Sequence, residues 1–148
     1  MHNGIDTRTA PYAALVLRIA LGVMFIAHSL YLKAVIFTLP GTAQFFESIG
    51  LPGFSAYIIF AMEAGGGIAL ILGAHTRLVA LALVPVLLGA TWAHSGTGWL
   101  FTNEGGGWEY PAFLAIATVV QALLGSGAKA LTADVILPTI KQTLPSTR

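Results

Sequence analysis

The sequence predicts an all-α membrane protein in which four transmembrane helices form one bundle with both termini in the cytoplasm. Hydrophobic residues make up 56% of the chain and charged residues only 9%, whereas soluble domains carry about 25% charged residues. The length of 148 residues accommodates four spans of ~20 residues in a single domain. The predicted segments are about 12–37, 54–74, 78–94 and 108–124, followed by a cytoplasmic tail, 125–148.

The composition also excludes several kinds of chemistry. The chain has no cysteine, which rules out disulfides, dithiol redox reactions and thiolate-bound metal or iron–sulfur clusters. The net charge of +1 gives no reason to expect a nucleic acid as partner. Because we recognise no haem, flavin or nucleotide motif, redox activity would require a quinone or a partner protein to carry the electrons.

The first apolar segment, 12–37, is interpreted as a retained helix and not as a signal peptide. Arg8 is the one strong positive charge before it, Arg18 interrupts the apolar core, and no small-x-small cleavage site follows. Residues at steps of four, three, four and four then share one helix face, and they are Arg18, Gly22, Phe25, Ser29 and Lys33.

His28 does not fit this face. It precedes Lys33 by five residues, about 140° around an ideal α-helix, so the two side chains need a kink or different partners. Lys33 is expected to extend its ammonium group to the membrane interface.

The second segment, 54–74, carries one carboxylate, Glu63, near its middle. A carboxylate in hydrocarbon costs several kcal/mol unless it is paired, hydrated or protonated, so it marks a candidate functional site. Gly65, Gly66 and Gly67 follow it and are expected to form a surface without side chains. That surface would serve tight helix packing, a flat ligand or a second copy of the chain in a homo-oligomer.

Two connections and one helix have further features. Residues 39–53 are typical of a loop that contains a short interfacial amphipathic helix. Pro85 predicts a kink in the third span. Residues 95–108 form a second long loop, rich in glycine and aromatic residues.

Basic residues orient the predicted helices. With four spans, one side of the membrane holds all the lysines and arginines except Lys33, and the positive-inside rule makes that side cytoplasmic. The residues on it are Arg8, Arg18, Arg77, Lys129, Lys141 and Arg148. An aromatic belt is expected at the outer interface, formed by Trp92, Trp99, Trp108 and Tyr110.

Four different segments each bring one titratable group to the middle or outer half of the membrane: His28, Glu63, His94 and Glu109. Such a set can bind a divalent metal, relay protons or hydrogen-bond a quinone-like head group. The spacing carries no metal signature, and any metal would fall to His28, Glu63 and His94. A purely structural network is the other interpretation. We expect His28 as the neighbour of Glu63, with Arg18 as the competitor, which would be its partner in a purely structural network.

Several stretches with specific order and spacing resemble the DoxX family. The resemblance covers about residues 15–131 and is carried by RIALGVMFIAHSLYLK at 18–33, TAQFFESIGLP at 42–52, EAGGGIALILGAHTR at 63–77, GGGWEYP at 105–111 and GSGAKAL at 125–131. Two positions depart from the family pattern. Ser29 stands where glycine is common, and the lysine follows the histidine after five residues instead of four.

The resemblance implies a multi-pass protein of a bacterial inner membrane that matches the family's polar positions at Arg18, His28, Glu63, Arg77 and Glu109. Some members are the small membrane subunit of a thiosulfate:quinone oxidoreductase, and others are linked to quinone or thiol stress. We therefore expect a quinone-linked redox component, or the membrane anchor of a soluble or membrane-bound oxidoreductase. A non-catalytic module that binds or transports a small lipophilic or anionic molecule is the alternative.

Overall fold

The regular structure of the described residues is entirely helical. The computed structural model describes Gly4 and residues 6–132, so Lys141, Arg148 and most of the predicted tail lie outside it. Helix α1 continues directly into a π-helical segment, and a short 3₁₀ turn, Ser95–Thr97, follows α4. The elements are α1 Ala10–Ile26, the π-helical segment Ala27–Ile36, α2 Leu39–Ser48, α3 Ser55–Leu72, α4 Thr76–Ala93 and α5 Glu109–Leu124.

Three of these helical stretches are long and apolar enough to cross a membrane: Ala10–Ile36, Ser55–Leu72 and Thr76–Thr97. Helix α5 is apolar but has only 16 residues. At 1.5 Å per residue it measures about 24 Å, less than the ~30 Å of a hydrocarbon core. The short helix α2 lies inside the predicted first loop, where the Thr38 hydroxyl accepts a hydrogen bond from the Gly41 amide at 3.2 Å and begins the helix.

Apolar side chains cover the outside of the protein. Val16, Leu78 and Leu123 are each at least 67% exposed, whereas Arg18 and Gln121 are no more than 1% exposed. A water-soluble protein shows the reverse distribution of polar and apolar residues. The surroundings that suit this surface are lipid tails, which identifies a membrane protein.

The four long helices pack in a cyclic order, α1 to α3 to α4 to α5 and back to α1. The side chains at the centre are mostly leucine, with one aromatic ring, and comprise Leu21, Phe25, Leu70, Leu83, Leu87 and Ala115. Helix α2 packs outside this ring against α3 and the π-helical segment. The central apolar residues therefore separate the two ends of the helices.

Helices α1 and α3 approach most closely at two glycines. A Cβ atom added to Gly22 would lie 2.7 Å from the Gly67 oxygen, and one added to Gly67 would lie 2.9 Å from the Gly22 oxygen. Gly66 instead faces Leu83 of α4, and Gly65 has nothing within 4 Å. Since successive helical residues point about 100° apart, the three glycines do not form one surface. The expectation of one common glycine surface is therefore wrong. Of the three glycines, only Gly65 is exposed and open to contact with a second copy of the chain.

Replacing Gly67 by alanine should destabilise the protein by about 1–3 kcal/mol, because the new methyl group overlaps the backbone of α1. The matched variant Gly65→Ala adds the same methyl group to an open surface and should be neutral or slightly stabilising, since alanine favours a helix over glycine. Thermal unfolding in detergent compares the two variants. Equal stabilities would contradict the close α1–α3 contact.

Candidate ligand-binding site

The π-helical segment brings His28 and Lys33 to the same side of the first long helix. In a π-helix the hydrogen bonds join residues five apart, so residues at that spacing lie nearly above one another. Both side chains line one cavity. The predicted separation of about 140° assumed α-helical geometry and is wrong for this segment. The wider turn accommodates the one extra residue in the spacing from His28 to Lys33.

Lys33 forms an ion pair with Glu63 across the interface with α3. The Nζ and Oε2 atoms lie 2.5 Å apart, and the two side chains are 17% and 7% exposed. The expectation that His28 or Arg18 would be the partner of Glu63 is therefore wrong. Lys33 does not extend to the interface, because the π-helical turn directs its ammonium group inward, where the carboxylate compensates its charge.

His28 is held in a defined orientation beside Tyr110. Its Nδ1 lies 2.8 Å from the carbonyl oxygen of Met24. A carbonyl only accepts hydrogen bonds, so in the neutral ring Nδ1 carries the proton and Nε2 is left as an acceptor. The ring stacks on Tyr110, with centroids 5.7 Å apart and an interplanar angle of 22°.

Tyr110 is a site residue that the sequence interpretation missed, because its aromatic ring suggested only a place in the interfacial belt. Among the described residues its hydroxyl group is buried and has no hydrogen-bond partner, yet the side chain lines the cavity. The one available signal was its position next to Glu109, at the outer end of the fourth segment. A buried hydroxyl without a partner is poised to bind a ligand.

These groups surround a cavity of about 850 Å³. Its walls are mainly apolar and come from α1, the π-helical segment, all four other helices and the 105–107 glycines. The titratable side chains that reach it are His28, Lys33, Glu63, His94 and Tyr110. An apolar cavity of this size with a few convergent polar groups is typical of a small-molecule site.

His94 lies at the rim of the cavity. Its Nδ1 is 3.0 Å from the carbonyl oxygen of Gly105, and Gly106 packs against the Nδ1–Cε1 edge of its ring. The histidine thereby holds the glycine-rich loop against the end of α4.

Three predicted site residues do not line the cavity. Arg18 lies at the other end of the protein, where it donates to the carbonyl oxygens of Ala128 and Lys129 at 3.4 Å. Glu109 accepts a hydrogen bond from the Phe101 amide at 3.0 Å and so fastens the loop between α4 and α5. Arg77 belongs to the first turn of α4. The first two have structural roles in this arrangement.

The arrangement does not favour a metal ion. Within the described part of the chain, no three histidine, aspartate or glutamate side chains lie close enough together to hold one. Glu63 is engaged by Lys33, and His28 and His94 each have a backbone carbonyl at Nδ1. The donor set suits an organic ligand with hydrogen-bonding oxygens.

The fold and the site thus define a helical membrane protein with an internal ligand cavity, and comparison with known proteins identifies its family. The family model named DoxX matches residues 13–96. The chain is 37% identical over 117 residues to the "Putative oxidoreductase CatD" of Bacillus subtilis. The aligned residues make up 79% of this chain and 82% of that protein. The chain therefore belongs to the DoxX family, as the resemblance of its motifs implied.

A second relative is the "Inner membrane protein YqjF" of Escherichia coli. It is 44% identical over 41 residues, which are 28% of this chain and 32% of that protein. No solved structure matches the chain.

Removing one member of the Lys33–Glu63 pair should cost about 3–5 kcal/mol, because the other charge is left unpaired in a poorly hydrated site. Lys33→Met and Glu63→Gln should each lower the unfolding temperature in detergent, and the double variant should recover most of the loss. Glu104→Gln, in the exposed loop between α4 and α5, is the control and should change stability by less than about 0.5 kcal/mol. If the double variant loses as much stability as the two single variants lose together, the pairing is contradicted.

Proposed function

We propose that the protein is a quinone-binding membrane subunit of an oxidoreductase and that the quinone head group occupies the cavity beside the Lys33–Glu63 pair. The observation that carries the proposal is the convergence of hydrogen-bonding groups inside a large apolar cavity. The B. subtilis relative is named as an oxidoreductase, which supports a redox role for this chain.

The groups in the cavity match a quinone in shape and in hydrogen bonding. A quinone offers two carbonyl oxygens on a flat ring, and these need donors. The Tyr110 hydroxyl has no partner among the described residues, and the Lys33 ammonium has further N–H groups beyond the one directed at Glu63. Apolar side chains such as Phe25 and Leu114 supply the walls that a ring requires.

The charge balance of the cavity favours a neutral ligand. Lys33 is already compensated by Glu63 at 2.5 Å, so the one lysine or arginine that lines the cavity among the described residues is not available to neutralise an anion. Bringing an anion into a low-dielectric cavity without such a cation is strongly unfavourable. Of the two ligand classes that the sequence left open, the lipophilic one therefore fits this cavity better than the anionic one.

Reduction of a quinone consumes two electrons and two protons, and the cavity offers groups only for the protons. Glu63, Lys33 and His28 are titratable and border the same space, so they can exchange protons with the ring oxygens. The electrons must come from a partner subunit with a redox cofactor, because the chain has no cysteine and no recognisable cofactor motif. This is why a subunit role is proposed instead of an independent enzyme.

Replacing Tyr110 by phenylalanine should weaken quinone binding about three- to tenfold, the value of one hydrogen bond. The same change should leave the unfolding temperature equal or raised, because it removes a buried hydroxyl that has no partner. Binding is followed by the quenching of tryptophan fluorescence as a short-tailed benzoquinone is added to protein in detergent. Tyr57→Phe, on the exposed face of α3, is the control and should change neither quantity.

A lower stability with unchanged affinity would give Tyr110 a structural role and contradict this assignment. Binding without reduction in the presence of isolated partner subunits would instead favour a non-catalytic carrier or anchor.

We also propose that α5 is the fourth span and that both termini face the cytoplasm of a bacterial-type inner membrane. The α5 helix begins where the Trp108 amide donates to Gly98, just beyond the end of α4. The chain that follows α5 lies at the opposite end of the protein. There the Ala128 amide donates to the carbonyl oxygen of Pro11, and the Leu131 amide donates to that of Leu72. Helix α5 thus runs alongside the three longer helices from one end to the other.

The topology can be measured with single cysteines, because the chain has none of its own. A cysteine at Thr102, in the exposed outer loop, should react with a membrane-impermeant maleimide added to intact cells. A cysteine at His75, in the exposed turn before α4, should react only after the cells are opened. The reverse labelling would overturn the orientation, and labelling of both from outside would overturn the number of spans.

A further inference from the structure

The cavity opens sideways through the protein surface between α2 and α4. Exposed residues of the cavity lining mark where the cavity opens. One group, Phe101 and Gly105, belongs to the loop between α4 and α5, and a second group lies between α2 and α4. On the α2 side these are Phe37 and Phe45, which are 59% and 45% exposed. On the α4 side they are Pro85 and Gly89, one helical turn apart.

Helices α2 and α4 both pack against α3 and leave this gap between them. Two features of α4 keep it open. Gly89 has no side chain, and a Cβ atom placed on it would meet nothing within 4 Å. Pro85 has no amide hydrogen, so it leaves the carbonyl of Leu81 without its usual helical donor and favours a bend.

The opening between α2 and α4 faces lipid. The exposed residues that flank it on α4 are apolar, with Leu81 and Leu88 each more than half exposed. They lie well inside the stretch Thr76–Thr97 that is long and apolar enough to cross a membrane. A ligand that passes through this opening therefore comes from the hydrocarbon region of the bilayer.

The two ends of the cavity differ in chemistry. His28, Lys33, Glu63 and Tyr110 supply the polar end, whereas α2 and the residues beside it contribute almost only apolar groups. The exception is Thr42, whose hydroxyl group is occupied by the carbonyl of Thr38 at 2.9 Å. The apolar residues are Phe37, Phe45, Phe46, Ile49 and Leu51.

The cavity is also larger than one ring requires. A volume of about 850 Å³ lies near the upper end of the ~300–1,000 Å³ that drug-sized ligands occupy. A ring bound to the polar groups fills only part of this space. The remaining space runs along the apolar α2 wall and continues into the side opening.

We infer that the ligand class is a membrane-resident quinone with a long hydrocarbon tail, whose tail lies along α2 and leaves the protein between α2 and α4 at Gly89. This inference rests on the proposed quinone site and adds the route and the tail. A tail in this position stays in contact with lipid, so the head group reaches the polar end of the cavity without crossing water.

Gly89→Phe tests the tail route, because an aromatic side chain there can occupy the opening without a clash at its Cβ atom. Two probes with the same benzoquinone ring are compared in lipid nanodiscs, one without a tail and one with a long alkyl tail, each buried CH₂ of which strengthens binding. In Gly89→Phe we expect the affinity for the tailed probe, relative to that for the tailless probe, to fall about tenfold or more below the wild-type value. The tailless probe should bind as it does to wild type.

Gly65→Phe is the matched control, since Gly65 is an exposed helical glycine with open space that does not line the cavity. It should leave the ratio unchanged. Gly89→Leu provides a smaller plug whose shift should lie between wild type and Gly89→Phe, and thermal unfolding confirms that each variant is folded.

The possible outcomes separate the two proposals. An unchanged ratio in folded Gly89→Phe, or an equal loss for both probes, would overturn the tail route and leave the head-group site standing. Failure of both probes to bind wild-type protein would overturn the quinone site and the tail route together.

Discussion

The ion pair between Lys33 and Glu63 is the interaction on which the rest of this structure depends. A single charge in hydrocarbon is so unfavourable that each group requires the other, and the pair in turn requires walls that keep it from lipid. The π-helical segment supplies the geometry, because its wide turn directs Lys33 toward α3 instead of toward the membrane interface. The cavity lies beside this pair, and at its polar end a bound ligand would contact the two charged groups.

The buried polar groups fall into two layers with different roles. At the end of the protein near the α3–α4 turn, Arg18 binds the carbonyl oxygens after α5, Gln121 donates to Gly125 at 2.7 Å, and Ser126 donates to Thr76 at 3.1 Å. These bonds fasten the chain after α5 to the middle of α1, to the last turn of α5 and to the first residue of α4. The other layer surrounds the cavity. A layer of leucines and Phe25 separates them, so the arginine and the glutamate that looked like a charge pair never meet.

The close packing of the helices is distributed over single glycines. Gly22 and Gly67 bring α1 and α3 into backbone contact, and this approach sets the distance across which Lys33 reaches Glu63. Gly73 ends α3 with a φ of 72° and lies directly against the guanidinium group of Arg18. No side chain would fit there, and only glycine adopts that backbone conformation without strain. Gly66 and Gly67 thus serve contacts with different helices although they are adjacent in the sequence.

Several features could be predicted from the sequence because they depend on composition or on one residue's cost in lipid. The hydrophobic content determined a helical membrane protein, and the positions of the apolar runs determined where the long helices lie. The expense of a charge in hydrocarbon selected His28, Glu63, His94 and Glu109 as candidates, and the first three line the cavity. Lys33, which was expected at the membrane interface, lines it as well.

The tertiary structure decided which of these groups meet. The π-helical turn cannot be recognised from a periodicity that assumes 3.6 residues per turn, so the sequence placed His28 and Lys33 on different faces. Tyr110 was missed because an aromatic residue near a membrane surface has an ordinary explanation. Only packing shows that its hydroxyl is buried and has no partner in the described part of the chain. Residue type determines what a side chain costs to bury, whereas its partner is determined by helix register and the distance between helices, which no local pattern encodes.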